Sequence, residues 1–319
     1  MTQSSRRRAG VAFVLVGILG AVVLLLLTRP RPLDGTVLPA HTPDLAHGET
    51  LFHVGSCGAC HKAADGGPGA DEGLPTGSAA FPTPIGTFYP GNLTPDPETG
   101  IGRWSQIEFV NAMTRGLSPG GTHYFPAFPY PSFRLMPLQD VLDLHAYLVS
   151  LPAVRSPKRE PDVPIAALAR RGVGLWKRLA LQDRRFDADP ARSDSWNRGA
   201  YLTTAPGHCG ECHTPRDWLM IADEARHLDG GPHPGGKGIV PSLRRLVERG
   251  RYKNVADLTL ALRFGETLGY DKLSSGNMAA IQMNLARLPE SEVQAISEYL
   301  LSLESEPDGA ARVPGSGPR

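Results

Sequence analysis

Cysteine is scarce in this chain, with four residues in 319, and neither sign of charge is in surplus: 33 basic side chains stand against 32 acidic ones, a formal net charge of +1. That balance excludes a global basic field for nucleic acid and an acidic one for buffering metal ions. A charged partner is therefore met by a local patch. The polar, highly charged signature of disorder is missing too, since charged residues make up 20% and hydrophobic ones 41%. At roughly one domain per ~150 residues the length suggests two domains. Glycine (36) and proline (30) stay just short of low-complexity abundance. They predict many loops around short helices.

What is present begins with an apolar run. Arg6, Arg7 and Arg8 precede the almost wholly apolar residues 9–28, and twenty residues at ~1.5 Å each reach ~30 Å, one hydrocarbon thickness. A secretory signal would carry a shorter apolar core of ~7–15 residues and then a small-residue cleavage site. Here Thr28-Arg29-Pro30-Arg31-Pro32 follows instead. The expectation is an uncleaved anchor crossing the lipid bilayer at residues 9–28, behind a cytoplasmic tail at 1–8. Basic residues favour the cytoplasmic side, although Arg29 and Arg31 on the far flank dilute that vote.

The four cysteines form two matching strings, Cys57-Gly58-Ala59-Cys60-His61 and Cys209-Gly210-Glu211-Cys212-His213. Each is C-x-x-C-H, the attachment signal of c-type haem, and no cysteine is left over. Two thiols one helical turn apart can add to the two vinyl groups of one porphyrin, while the next residue aims its imidazole at the iron. Three other readings exist. A single zinc held by both pairs would need ligands 152 residues apart in sequence, far beyond ribbon spacing. Two disulfides, or a thioredoxin-like redox pair, would fit C-x-x-C alone, but no β-rich alternation flanks either string. With two haem c groups, attachment takes place outside the cytoplasm, which puts the bulk of the chain in the periplasm of a bacterial inner-membrane protein.

The chain also repeats itself. Cys57 and Cys209 are 152 residues apart, as are Tyr147-Leu148-Val149-Ser150-Leu151 and Tyr299-Leu300-Leu301-Ser302-Leu303. Gly48 and Leu51 match Gly199 and Leu202. Glu108-Phe109 with Ala112 and Gly116 answers Asp257-Leu258 with Ala261 and Gly265. Each half reads as three helices, near 45–63, 105–115 and 138–151 in the first and 196–213, 255–264 and 290–303 in the second. Ser105 and Glu108 form a capping box and Gly116 a stop. In the third helix Val141, Leu144, Tyr147, Leu148 and Leu151 share a face, leaving Asp140 and Asp143 outside. The fold class expected is all-α, with units at 41–152 and 194–305, a linker at 153–193 and a disordered tail at 306–319.

Residues 153–186 carry nine basic residues against three acidic ones. Their amphipathic part, 165–181, reads first as a solvated strap packed by Leu175 and Trp176; resting on anionic lipid or a partner is the alternative.

A haem that only carries electrons is closed by a second axial ligand, and methionine raises its potential. In the first half Met136, in the loop Phe133-Arg134-Leu135-Met136-Pro137, is favoured over Met113 inside a helix, with His123 as the fallback. In the second half Met278, following Ser275-Gly276-Asn277 in a loop before the last helix, is chosen over Met220, with Met283 in reserve. The other histidines, His41, His47, His53, His145, His208, His227 and His233, read as surface or packing residues. Pro84 and Pro241 are placed to offer a carbonyl to the two proximal imidazoles.

The chain resembles the membrane-anchored multihaem cytochrome c subunits of periplasmic alcohol, gluconate and related dehydrogenases. The matching stretches are Gly91-Asn92-Leu93-Thr94-Pro95-Asp96, Thr99-Gly100-Ile101-Gly102 with Trp104-Ser105, His123-Tyr124-Phe125-Pro126-Ala127-Phe128-Pro129-Tyr130, and Trp196-Asn197-Arg198-Gly199-Ala200-Tyr201-Leu202 leading to Gly207-His208-Cys209. The resemblance implies two tandem cytochrome c domains and electron transfer from a periplasmic or membrane dehydrogenase toward a quinone or oxidase acceptor, with no substrate chemistry of its own. Members commonly carry three haems, where two attachment strings stand here. Many also have Met where Phe128 stands, so the first sixth ligand has moved, with Met136 the candidate. The rival expectation is a dihaem peroxidase with one open haem, and a structural zinc protein is a third class. The haem-binding set is thus Cys57, Cys60, His61, Met136, Cys209, Cys212, His213 and Met278, with iron on His61, Met136, His213 and Met278.

Overall fold

Each half of the chain is built on a crossing of its first and last helices, with a glycine at the point of closest approach. The structure is a computed structural model that describes residues 3–164, 166–236, 238–250, 252–264 and 277–303. Gly265, the loop residues Ser275 and Gly276, and the tail at 306–319 lie outside the described residues.

The N-terminal helix α1 (Gln3–Leu27) has an apolar window, Gly10–Leu27, of the length and composition to cross a membrane. In the first half, α2 (Leu45–Val54), α3 (Cys57–Cys60), α4 (Gln106–Arg115), α5 (Tyr130–Phe133) and α6 (Leu138–Ser150) follow in order. The linker holds α7 (Ala166–Ala180), and the second half holds α8 (Asp194–Thr204), α9 (Gly210–His213), α10 (Val255–Phe264), α11 (Asn277–Leu285) and α12 (Glu290–Ser302). α2 packs on α6 and α8 on α12, while α4 and α10 lean on the last helix of their own halves. The expected capping box is present, with Ser105 and Glu108 bonded reciprocally, and Gly116 ends α4 in the left-handed region at φ 59°.

Three expectations need correction. The fold is mostly helical rather than all-α: β1 (Phe81–Thr83) pairs antiparallel with β2 (Gly86–Phe88), and β3 (Gly231–Pro232) with β4 (Ile239–Val240). These ribbons fill the Gly/Pro-rich stretch after each C-x-x-C-H, where tight turns return the chain on itself. The opening helix of each half is broken before its cysteines. Ser56 (φ 46°) and His208 (φ 42°) adopt the left-handed conformation, which no helix interior tolerates. Lastly, Asp143 does not face solvent.

Asp143 is 3% exposed and gathers the entry to the first half around α6. Its Oδ1 accepts from the Asp44 amide at 2.8 Å and meets His41 Nε2 at 2.6 Å, while Oδ2 meets His47 Nδ1 at 3.0 Å. One turn earlier Asp140 accepts from the Tyr201 hydroxyl of α8, so the same helix face ties the halves together. Helical periodicity alone reads Asp143 as outward because it cannot foresee a segment from a hundred residues upstream laid over that face.

The glycines explain the repeat. A Cβ on Gly48 would lie 2.2 Å from the Asp143 carbonyl oxygen, and one on Gly199 would lie 1.8 Å from that of Ala295. Any side chain there forces the helices apart. Buried beside these crossings are Leu51, Val141, Leu144 and Leu148 in the first half, and Leu202, Val293, Ile296 and Leu300 in the second.

Two outcomes follow. Gly199→Ala should destabilise the second half by about 3 kcal/mol, at the upper end of overpacking costs, seen as a separate, earlier transition in thermal unfolding by circular dichroism. Burial pushes the Asp143 carboxyl up, but the Asp44 amide and the His41 and His47 rings outweigh it and hold it below the ordinary carboxylate range. A lowered folded-state value contributes stability above the unfolded value that is lost as pH falls through the folded one. Acid unfolding of Asp143→Asn should therefore be shallower than that of the natural protein, and identical acid limbs would remove this role.

Candidate functional site

The break before each cysteine pair turns the C-x-x-C step out of the preceding helix as a separate single turn, α3 and α9. All four cysteines are free, not joined as disulfides. Nor do they form a zinc site: among the described residues the one gathering of potential metal ligands is His47, Asp140 and Asp143 at the helix crossing. Burial, with the neighbouring thiol adding to it, pushes Cys57 and Cys209 up to about 12, so both are held protonated.

Each histidine of the motif is held by one ring nitrogen. His61 Nδ1 donates to the Gly91 carbonyl at 2.7 Å, and His213 Nδ1 to the Pro241 carbonyl, also at 2.7 Å. Desolvation lowers the pKa of both imidazoles, partly countered by these carbonyls, so both are neutral. A neutral ring with its proton on Nδ1 has its lone pair on Nε2. Among the described residues no hydrogen bond engages that atom in either ring. This is the arrangement of a metal-ligating histidine, in which a carbonyl behind the ring fixes its tautomer and direction. The residues present fit a porphyrin iron at each motif: two free thiols one turn apart and an oriented, unprotonated Nε2.

The Pro241 carbonyl stands where the sequence puts it, whereas Pro84 does not serve His61. Pro84 lies in the turn between β1 and β2, and the acceptor is Gly91, seven residues on. The Gly91 loop is built by its neighbour. Asn92, 6% exposed, accepts from the amide and hydroxyl of Thr94 at 2.9 and 2.8 Å and donates to the Val154 carbonyl at 2.8 Å. Gly100 and Gly102 close the loop, where a Cβ would lie 2.1 Å from the carbonyls of Thr94 and Pro95. Gly77 and Gly230, both at positive φ, donate their amides to the carbonyls of His61 and His213 at 2.8 and 2.7 Å. Sequence reasoning missed Gly77, Gly91, Asn92 and Gly230. For Gly77 and Gly230 the available signal was their similar spacing, 16 and 17 residues, from His61 and His213.

The proposed sixth ligands are placed differently in the two halves. Met136 sits in the turn between α5 and α6, 1% exposed. Met278 lies in the first turn of α11, half-buried, and not in a loop before α12. The stretch from Asn277 to Leu285 holds good helix formers and no proline before Pro289, so it makes a helix of its own. Met283 on the same helix is 66% exposed, and Met113 is buried inside α4. The bis-histidine fallback is corrected: His123 Nε2 is 3.0 Å from the Thr28 carbonyl and Nδ1 is 3.1 Å from Lys177 Nζ, so both nitrogens are already engaged.

The two motifs adjoin. His208 Nε2 is 3.2 Å from the Gly55 carbonyl, so the residue before Cys209 touches the turn before Cys57. A Cβ on Gly55 would lie 3.2 Å from Cys57 Sγ and 3.4 Å from the Pro206 carbonyl. Within the second motif, Glu211 accepts from Ser132 of α5 at 2.7 Å and from Arg216 at 2.6 Å.

Comparison with known proteins gives a consistent set of relatives. The cytochrome c family model matches residues 45–152. A protein named "Diheme cytochrome c-type" from Cereibacter sphaeroides is 37% identical over 293 residues, 92% of this chain and 96% of the relative. The fructose dehydrogenase cytochrome subunit of Gluconobacter japonicus is 31% identical over 289 residues, 89% of this chain and 58% of the relative. The alcohol dehydrogenase (quinone) cytochrome c subunit of Gluconacetobacter polyoxogenes is 33% identical over 290 residues, 86% of this chain and 60% of the relative. The chain therefore spans nearly all of the first but little more than half the length of the two dehydrogenase subunits.

Asn92→Ala would leave the buried Thr94 amide without its acceptor, while the Thr94 hydroxyl keeps the Val154 carbonyl at 3.1 Å, and should cost about 2 kcal/mol. Calorimetry is expected to show the loss in the first half, with a changed visible spectrum there because the Gly91 carbonyl no longer holds the His61 ring.

Proposed function

The chain belongs to the cytochrome c family, and we propose that it is a two-haem electron-transfer subunit working with a membrane dehydrogenase. Its relatives are named as cytochrome subunits of fructose, alcohol and gluconate dehydrogenases rather than as their catalytic subunits. The observation that carries the reading is the contact of the two C-x-x-C-H turns through His208 and Gly55. It supports reading the two redox sites as one relay.

Cys57, Cys60 and His61 would hold one haem, and Cys209, Cys212 and His213 the other. A haem bound in this way supplies reversible one-electron exchange between Fe(III) and Fe(II). The residues of the chain do the rest. Gly91 and Pro241 keep each imidazole proton on Nδ1 and each Nε2 unprotonated. Met136, buried in its turn, and Met278, at the start of α11, are the proposed sixth ligands, and their soft thioethers favour the reduced state and exclude water. Two closed positions suit a carrier and disfavour peroxide chemistry.

Anchored by α1, with both units in the periplasm, the protein would pass electrons from a dehydrogenase toward a quinone or oxidase. Tethering raises the local concentration of the carrier near membrane partners. The proposed boundaries are those of the sequence repeat, 41–152 and 194–305.

The test combines attachment and closure. Cys209→Ala should weaken or abolish covalent haem in the second half alone, read by peptide mapping of haem-bearing fragments. Met278→Ala should keep both haems attached, lower one midpoint potential in a redox titration and admit carbon monoxide to the reduced protein. An unchanged titration removes Met278 as a ligand. Ready carbon monoxide binding by the natural protein would favour the peroxidase.

A further inference from the structure

Electron transfer does not account for the basic helix α7. Its residues divide into three arcs around the axis. The inward arc packs on the first half: Val173 is buried, Lys177 Nζ donates to the Arg115 and Gly116 carbonyls at 2.7 and 2.8 Å, and Arg170 donates to the His123 carbonyl at 3.2 Å.

The second arc meets the end of α1. Arg178 Nε donates to the Leu27 carbonyl at 2.5 Å and Nη2 to the Leu26 carbonyl at 3.4 Å. A Cβ on Gly174 would lie 2.6 Å from the Thr28 carbonyl oxygen, which His123 also contacts. A helix ends with four unpartnered carbonyls, and α7 supplies donors to those of α1.

The third arc is uncovered by any of the described residues. Arg171 is exposed, as are Leu175 (38%) and Leu179 (64%), so Leu175 does not pack the strap as the sequence suggests. Beside this arc Trp176 donates from Nε1 to the Leu219 carbonyl at 2.8 Å, bringing up Trp218, 88% exposed, and Met220, 45% exposed. Arg29 and Arg31, just past α1, are exposed as well.

The apolar window of α1 stops at Leu27. Whatever binds the Leu26 and Leu27 carbonyls therefore sits where hydrocarbon gives way to headgroups. A helix at that depth, with leucines and a neighbouring tryptophan exposed among arginines, has the composition of an interfacial helix. We propose that the outer arc of α7, together with Trp218, lies in the headgroup layer of the membrane that α1 spans, on acidic phospholipid. Arg171, Arg29 and Arg31 face the phosphates, and Leu175, Leu179 and Trp218 enter the acyl boundary. The bond from Trp176 to the loop that follows the second C-x-x-C-H then keeps the second half at the membrane surface. The inference rests on reading α1 as a membrane span.

The full-length haem-loaded protein in nanodiscs tests it, using phosphatidylglycerol with a photoactivatable group on the acyl chain and mapping crosslinked peptides by mass spectrometry. Crosslinks are expected in α1, in 171–179 and around Trp218. Crosslinks confined to α1 would overturn the proposal while leaving the anchor intact, whereas none in α1 would overturn the anchor itself. Arg171→Gln should lower the α7 yield about fivefold, the equivalent of ~1 kcal/mol for one basic side chain at an acidic surface. Leu175→Ser with Leu179→Ser should reduce it further with the haem spectrum unchanged. Equal yields from photoactivatable phosphatidylcholine would overturn the preference for acidic lipid.

Discussion

A hydrogen bond from the back of an imidazole to a backbone carbonyl is the constraint on which the protein depends. Without it a histidine ring can rotate and exchange its proton between two nitrogens, so it presents no defined lone pair. The Gly91 and Pro241 carbonyls remove both freedoms. Much of each half serves to bring that carbonyl behind that ring. Asn92 and the close-packed Gly100 and Gly102 shape one loop, Gly77 and Gly230 pin the histidine carbonyls, and left-handed residues at 56 and 208 swing each short cysteine helix out of line with its predecessor.

The halves are alike in this plan but not interchangeable. Each crosses its first and last helices over a glycine, yet α6 of the first half carries Asp140 and Asp143, which bind the entry segment and Tyr201. The second half adds α11, which reaches back so that Asn284 Oδ1 lies 3.2 Å from His53 Nδ1. These additions hold the repeats against one another, which places the two motifs side by side. Tandem repeats joined by a linker alone would have no fixed spacing between their redox sites.

The N-terminal apolar helix α1 is integrated in the same way. The carbonyls at the end of α1 are bonded by Arg178 and His123, and Lys177 closes the end of α4 from the same helix. One basic helix thus terminates two others. Lys177 and Arg178, two of the nine basic residues at 153–186, serve in this way.

What could be read from the linear chain were the features whose chemistry is local. Two thiols and an imidazole must be neighbours to grip one porphyrin edge, a capping box spans four residues, and an apolar segment is a run, so Cys57 to His61, Cys209 to His213, Ser105 with Glu108 and residues 9–28 were all visible. The repeat was visible for the same reason, since Gly48 and Gly199 lie nine and ten residues before Cys57 and Cys209. Folding alone decided whatever depends on segments remote in sequence. Every residue has a carbonyl, so nothing marks Gly91 in place of Pro84. An aspartate on a helix looks solvent-facing until His41 and His47 close over it, and His123 looks available until Thr28 and Lys177 claim both nitrogens. Short-range patterns specify which groups the chain owns; the burial of backbone and polar atoms that must find partners specifies which of them meet.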